Sequence, residues 1–415
     1  MSQCPFARLH DPETFKNGIP FEGLKKIRDE QTIVKLEDDL TGIPYWVISK
    51  REHIDFVSKN PQLFSSAMRT AFPMEFLGDE EWVISEILNK QIINMDAPAH
   101  IKYRKIVKNI FTPKAIDALV DVYRAHAQRI VETVAKKGEC DFVKEVAAEL
   151  PLIAILELLN VPIADREKFF NWTNTMMFAD DPDMSTSRAE GEAAAAEVCN
   201  YALNLALEHR ANPKDDLIGK LLEGEVDGEG LSEEEFMWFF VLLLVAGNES
   251  TRSVIANGMR LLIEHPDQLQ LLVEDPSLIP GTVEEILRLG TAFISMRRTA
   301  TEDIVLGGKT IKKGDKVLMY YHSAGQDEDV FGEDSASFDV LRAQKMPELK
   351  NEHRSFGIGQ HFCLGSHLAR REVTLMFEFI IPMLRNPRFV EQPKFVRSYF
   401  VNSPKELKIA FDPMT

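Results

Sequence analysis

Between Ser232 and Pro266 the chain contains no proline, and this stretch constrains the fold more than any other. Ser232, followed three residues on by Glu235, has the pattern of a capping box, in which each side chain satisfies a backbone amide left open at a helix start. About 34 residues of helix follow, roughly 50 Å at the standard rise. From residue 236 to 245 the stretch is apolar on nearly all sides, so it predicts a buried spine. In its middle stands Ala246-Gly247-Asn248-Glu249-Ser250-Thr251. A mid-helix glycine costs about 1 kcal/mol, and buried polar groups cost more unless paired. A local opening that holds a ligand or water accounts for both.

The remaining pattern is mainly α with small β-sheets. Apolar residues recur at three and four over 116–134, 143–159, 193–207 and 368–384, predicting amphipathic helices. Residues 32–36 and 45–48 read as a hairpin joined across Leu40-Thr41-Gly42, and 304–321 as strands turning at Gly307-Gly308 and Gly314-Asp315. No linker, repeat or low-complexity tract divides the chain, so residues 1–415 are expected to form one domain. A formal charge of -17 argues against nucleic acid, whose binding needs basic surface. One segment runs against that balance: residues 100–114 carry Lys102, Arg104, Lys105, Lys108 and Lys114 and no acid.

Cys4, Cys140, Cys199 and Cys363 show no CxxC pairing, the N-terminus lacks a signal-peptide core, and the apolar run 236–247 is too short to span a bilayer. A cytoplasmic monomer that does not enter membranes is expected.

Cys363 lies in Phe356-Gly357-Ile358-Gly359-Gln360-His361-Phe362-Cys363-Leu364-Gly365, with a helical pattern beginning near His367. The glycines allow turns closed to other residues and let amides approach a sulfur, while the helix N-terminus favours an anion. On the residues alone, a small buried cysteine in a tight turn remains open. Structural zinc does not fit, because His361 and Cys363 have no partner pair at zinc spacing.

The segment resembles the signature of the cytochrome P450 family, and the resemblance covers nearly the whole chain. It implies a P450 fold with haem b buried between the long helix and this loop, Cys363 as the thiolate ligand of iron, Phe356 against the sulfur with Gly357 and Gly365 shaping the loop, and His361 on a haem propionate. Glu285 and Arg288, three apart on one helix face, resemble the family's ExxR pair, to which Arg342 would add a third, structural member. His100 and Arg104, on a helix that Asp96 is placed to cap, resemble its propionate-binding helix, and Arg298 matches a further propionate arginine. The resemblance also implies that the cationic segment and the flanks of the thiolate loop share one side of the haem. An acidic ferredoxin is therefore expected to dock near Lys102, Lys105, Lys108 and Arg354.

At the break in the long helix, Ala246 and Gly247 are expected at the haem. Glu249 takes the family's acid position, and Ser250, in place of the usual threonine, and then Thr251 are expected to relay protons to oxygen. Serine keeps the hydroxyl but lacks the methyl that fixes its rotamer. The implied reaction inserts one atom of O2 into a C–H bond, with peroxygenase chemistry or non-catalytic haem binding as alternatives. Substrate contacts are expected from 64–82, 176–178, 242–246, 293–296 and 399–401. Within them Phe72, Met74, Phe76, Leu242, Ala246, Phe293, Met296 and Phe400 suggest an apolar cavity for a terpenoid, steroid, fatty acyl or aromatic hydrocarbon. Residues 246–249 and 298–303 are most similar to bacterial members that oxidise terpenes, sterols and branched lipids.

Overall fold

A computed structural model describes residues 8–414, apart from 31, 39, 40, 79–82, 109, 179, 180, 182, 185, 186, 227 and 228. Cys4, Leu40 of the first expected turn and Trp82 at the end of the 64–82 segment lie outside the described residues.

The predicted spine is a single helix, Glu233–Glu264. Both halves of its capping box form: Glu235 N–H donates to Ser232 Oγ at 3.2 Å, and Ser232 N–H donates to Glu235 Oε2 at 2.8 Å. Its length and composition would suffice to cross a membrane, yet 67% of its most apolar stretch is buried inside the protein. That apolar surface is used for packing against the helices Glu149–Leu158, Arg188–Ala211, Ile279–Leu289 and Ser366–Met383. Where the spine crosses two of them, a Cβ on Gly258 would lie 2.6 Å from Phe377 Cζ and 3.0 Å from Ile286, so only glycine permits the approach.

The amphipathic stretches become Pro113–Asp117 with Val120–Ala135, then Glu149–Leu158 preceded by a π turn at Val143–Ala147, then Arg188–Ala211 and Ser366–Met383. The two β-rich regions, separate in sequence, merge in space. Ile33–Glu37 and Pro44–Ile48 form the expected hairpin, and Lys316–Tyr320 pairs parallel to its second strand. Ser295–Ala300 and Phe64–Ser65 complete this sheet. Only Ile304–Leu306 and Lys309–Ile311 remain a separate hairpin, turning at Gly307 and Gly308 with φ of 52° and 72°. In the register, Arg298 is paired with Val317 and Arg297 with Leu318, so the two adjacent arginines occupy opposite faces.

Candidate active site

The cysteine loop is shaped by Gly357 and Gly359, with φ of 66° and 75°, in the region glycine alone enters freely. A Cβ on Gly359 would lie 2.6 Å from the Ser58 carbonyl, which brings the helix Arg51–Lys59 hard against the loop. Cys363 N–H donates to Phe356 O at 2.9 Å, closing the loop, and the next helix begins at Ser366. The thiol is half-buried. Burial pushes its pKa up, against the opposing pull of the Gly365 amide, Arg104 and Arg370. Protein groups alone therefore leave this sulfur short of positive charge, and a directly bonded metal cation would supply it. Arg370 lies 4.5 Å above the Phe356 ring and is held by Glu284 at 2.7 and 3.1 Å.

His100, Arg104, Arg298 and His361 converge beside this loop. The two imidazoles lie 4.2 Å apart, and Arg104 donates to Phe362 O at 2.6 Å. Burial and the neighbouring guanidinia lower His100 to about 4 and His361 to about 2, so both are neutral at pH 7. Arg298 is buried and donates to Arg297 O at 2.6 Å. Among the described residues, neither it nor Arg104 is hydrogen-bonded to a carboxylate. Two guanidinia with no carboxylate in hydrogen-bond contact among the described residues, flanked by two neutral imidazoles, fit a group that brings two carboxylates of its own.

Three further residues belong to this cluster whose part in it the sequence pattern does not specify. Ser66 Oγ lies 3.2 Å from His361 Nε2, Gln360 Nε2 lies 3.1 Å from His100 Nδ1, and Tyr321 lies beside both Arg298 and Gly357. Asp96 does not cap the His100 helix, which starts at Ala99 behind Pro98. Its carboxylate instead accepts from Ser66 N–H at 2.8 Å and from the Ser65 hydroxyl, tying the 64–66 segment to this cluster.

On the central helix, Leu242, Ala246 and Ser250 recur every four residues and form the more accessible face, with Ala246 exposed. Ser250 Oγ donates to Ala246 O at 2.7 Å. Glu249 is turned away from this face. It is buried, pairs with Arg252, and accepts from Asn248 Nδ2 at 3.0 Å, while Arg252 donates to Asn174 Oδ1 at 2.6 Å and lies 5.2 Å from the Phe178 ring. Glu249 and Ser250, neighbours in the chain, thus point about 100° apart around the helix. Thr251 is buried too. A Cβ on Gly247 would meet Ile155 Cδ1 at 3.0 Å, so its bareness also serves a helix crossing.

Phe72, Phe293, Met296 and Phe400 come together from three separate segments. Phe72 and Phe400 meet edge-on at 5.6 Å, Phe293 and Phe400 stack at 4.9 Å, and Met177, Phe178, Val396 and Val401 join the cluster. Met74 and Phe76 are half-buried on the same chain segment as Phe72.

The Glu285 network is complete and fully buried. Arg288 donates to its two oxygens at 2.6 and 2.7 Å, and Arg342 Nε donates at 3.0 Å. Arg354, expected at a docking surface, is instead buried and bound to both oxygens of Asp55 at 2.6 and 2.8 Å. It anchors the Arg51–Lys59 helix to the cysteine loop. Lys105 and Lys108 are exposed and Lys102 is half-buried, on the helix that also exposes Ile101; Phe362, at 40%, is exposed beside Cys363.

Comparison with known proteins agrees with this geometry. The family model for Cytochrome P450 matches residues 164–411. A steroid C26-monooxygenase of Rhodococcus jostii is 40% identical, over 97% of this chain and 84% of its own length. A methyl-branched lipid omega-hydroxylase of Mycobacterium tuberculosis is 36% identical, over 91% of this chain and 86% of its own. Among solved structures, a Mycobacterium marinum cytochrome P450 in complex with pseudoionone superposes with a TM-score of 0.85 at 31% identity, covering 94% of each chain.

Proposed function

The chain belongs to the cytochrome P450 family, and on that premise we propose that it hydroxylates the methyl-branched end of a steroid or branched lipid. It is a haem monooxygenase of hydrophobic molecules, with haem b as cofactor and O2 as co-substrate. The observation that carries this reading is the convergence, beside the half-buried Cys363 thiol, of two guanidinia that have no carboxylate hydrogen-bonded to them among the described residues.

Cys363 would ligate the iron, and Arg104, Arg298 and His100, with His361, would hold the propionates. Haem bound to a thiolate supplies reductive activation of O2, the thiolate pushing electron density that favours O–O cleavage. The chain's own residues do the rest. Leu242, Ala246 and Ser250 form one wall, and the Phe72, Phe293 and Phe400 cluster forms another, which together exclude water and orient an apolar substrate. Ser250 carries the hydroxyl on that wall and holds its proton on the Ala246 carbonyl, ready to be redirected. Glu249, behind it and paired with Arg252, would take up and return that proton only when the pair opens. The steroid and branched-lipid oxidations named for two relatives suit these walls, because an aromatic, apolar lining accommodates a ring system or long chain while the small Ala246 admits a slender terminus.

Electrons would arrive from an acidic ferredoxin at Lys102, Lys105 and Lys108, around the exposed Ile101 and Phe362, in the cytoplasm and with the enzyme as a monomer. Reduced protein under carbon monoxide is expected to show the red-shifted Soret band of thiolate ligation, and Cys363→Ser to lack it. With ferredoxin, reductase and cholest-4-en-3-one, the expected product is the side-chain terminal alcohol. Absence of the band, or hydroxylation confined to the steroid rings, would overturn the reading.

A further inference from the structure

Arg298 faces the cation cluster, and its neighbour Arg297 faces the opposite side of the sheet, where it holds the segment carrying Phe72, Met74 and Phe76. Three contacts do this. Arg297 N–H donates to Ala71 O at 2.8 Å, its guanidinium donates to Met74 O at 3.4 Å, and the same nitrogen lies 2.9 Å from Glu75 Oε1. Lys316 Nζ, buried, sits 2.9 Å from that same oxygen. Behind it, Lys316 also meets His10 Nε2 at 2.9 Å, and His10 packs against the rings of Tyr45 and Tyr399, each 4.6 Å away. The near end of the segment is pinned separately, since the buried Asn94 accepts from Ala71 N–H at 2.7 Å and Thr70 Oγ1 at 3.1 Å.

Glu75 is therefore the one side chain of the segment that meets two buried cations at once, and its own side chain is only 10% exposed. Burial opposes its charge, but Lys316 and Arg297 outweigh that and hold its pKa below the usual carboxylate value. Ala71 and Pro73 of the segment are buried, whereas Phe72, Met74, Glu75 and Phe76 are half-buried. Moving the segment would withdraw the carboxylate from two buried cations, which makes such a shift costly.

We infer that Glu75 is a positioning residue for substrate selection: locked on Arg297 and Lys316, it fixes which side chains of 71–76 face the pocket and so favours long substrates over short ones. The inference rests on the pocket assigned above, though Glu75 touches neither cofactor nor reacting atoms.

Glu75→Gln keeps the size of the side chain and removes its charge. In haem-loaded protein, spin-state titration with cholest-4-en-3-one and with pseudoionone reads the selection directly. The variant is expected to bind the steroid about tenfold more weakly and pseudoionone with less than about a threefold change, so that their ratio collapses. The carbon monoxide spectrum should remain that of the parent. In the protein without substrate, amide exchange within 70–76 should quicken by about tenfold. Lys316→Gln, which leaves the Arg297 contact in place, gives a smaller change of the same sign and serves if Glu75→Gln does not fold. Dissociation constants that stay put, or that rise equally for both probes, with unchanged exchange, overturn the inference. Parent protein that binds neither probe would remove the substrate reading instead, and the exchange measurement would still decide the role of Glu75.

Discussion

Glu249 and Arg252, three residues apart on the central helix, form an ion pair in which each side chain is 2% exposed. Removing one partner of such a pair leaves an uncompensated buried charge and costs about 3–5 kcal/mol. Arg252→Met is expected to lose stability on that scale in denaturant melts, and Glu249→Gln combined with Arg252→Met to recover much of it. Recovery of nothing would mean that Arg252 acts mainly through Asn174 and Phe178.

Ser250 spends its hydroxyl hydrogen on the Ala246 carbonyl, one turn back on the accessible face. Ser250→Ala removes the only hydroxyl that this helix presents on that face and is expected to divert electrons into peroxide several-fold more, with substrate-induced spin shift unchanged. Ser250→Thr, whose methyl restricts the rotamer, should couple at least as well as the parent. Peroxide release per electron consumed is the measurement.

Arg342 is 5% exposed and reaches Glu285 from a helix of only four residues, Arg342–Lys345. Arg342→Ala should cost less than the about 3–5 kcal/mol of an uncompensated buried charge, because Glu285 keeps Arg288 and loses only its second cation. The visible sign would be poor haem incorporation at growth temperature together with a lowered melting point.

His322 is buried among Arg28, Arg260 and Arg288, and burial first, then these cations, lower its pKa to about 3. Between that value and 6.5 the unfolded chain binds the proton and the native chain does not, so stability rises with pH across this window and falls on acidification. The limiting slope for one proton is about 1.4 kcal/mol per pH unit. His322→Gln should flatten the dependence of stability on pH between about 4 and 6, measured against the parent.

Charge reversal at Lys105 and Lys108 tests the docking face without touching the buried Arg354. The double variant is expected to slow first-electron transfer from an acidic ferredoxin by about tenfold at low ionic strength, the difference shrinking as salt screens it. Stopped-flow reduction over a salt series reads this, and equal rates would move the docking site elsewhere.

Local chemistry made several of these features legible before any coordinates. The capping box at Ser232, the cysteine between glycines and the Glu285–Arg288 spacing each depend on residues within a turn or two of one another, and short-range geometry suffices to interpret them. The members of the aromatic cluster are legible as apolar residues, but nothing in the chain states that Phe72 meets Phe400 across more than three hundred positions. Gln360 stands in the cysteine motif, Ser66 in 64–82 and Tyr321 at the end of 304–321, yet no pattern gives their partners, because a lone hydroxyl or amide acquires meaning only from what stands opposite it.

The sequence by itself determined the secondary structure of the spine, the thiol and its loop, and the types of side chain around them, since each follows from periodicity, capping and backbone freedom along the chain. Tertiary structure alone decided direction and partnership. It turned Glu249 away from Ser250 toward Arg252, assigned Gly247 to Ile155, withdrew Arg354 from the surface to Asp55, and sent Arg297 and Arg298 to opposite faces of one strand. Charged groups are distributed in this way because a buried ion is tolerable only beside its counter-ion, and which counter-ion lies within reach is a property of the packed fold.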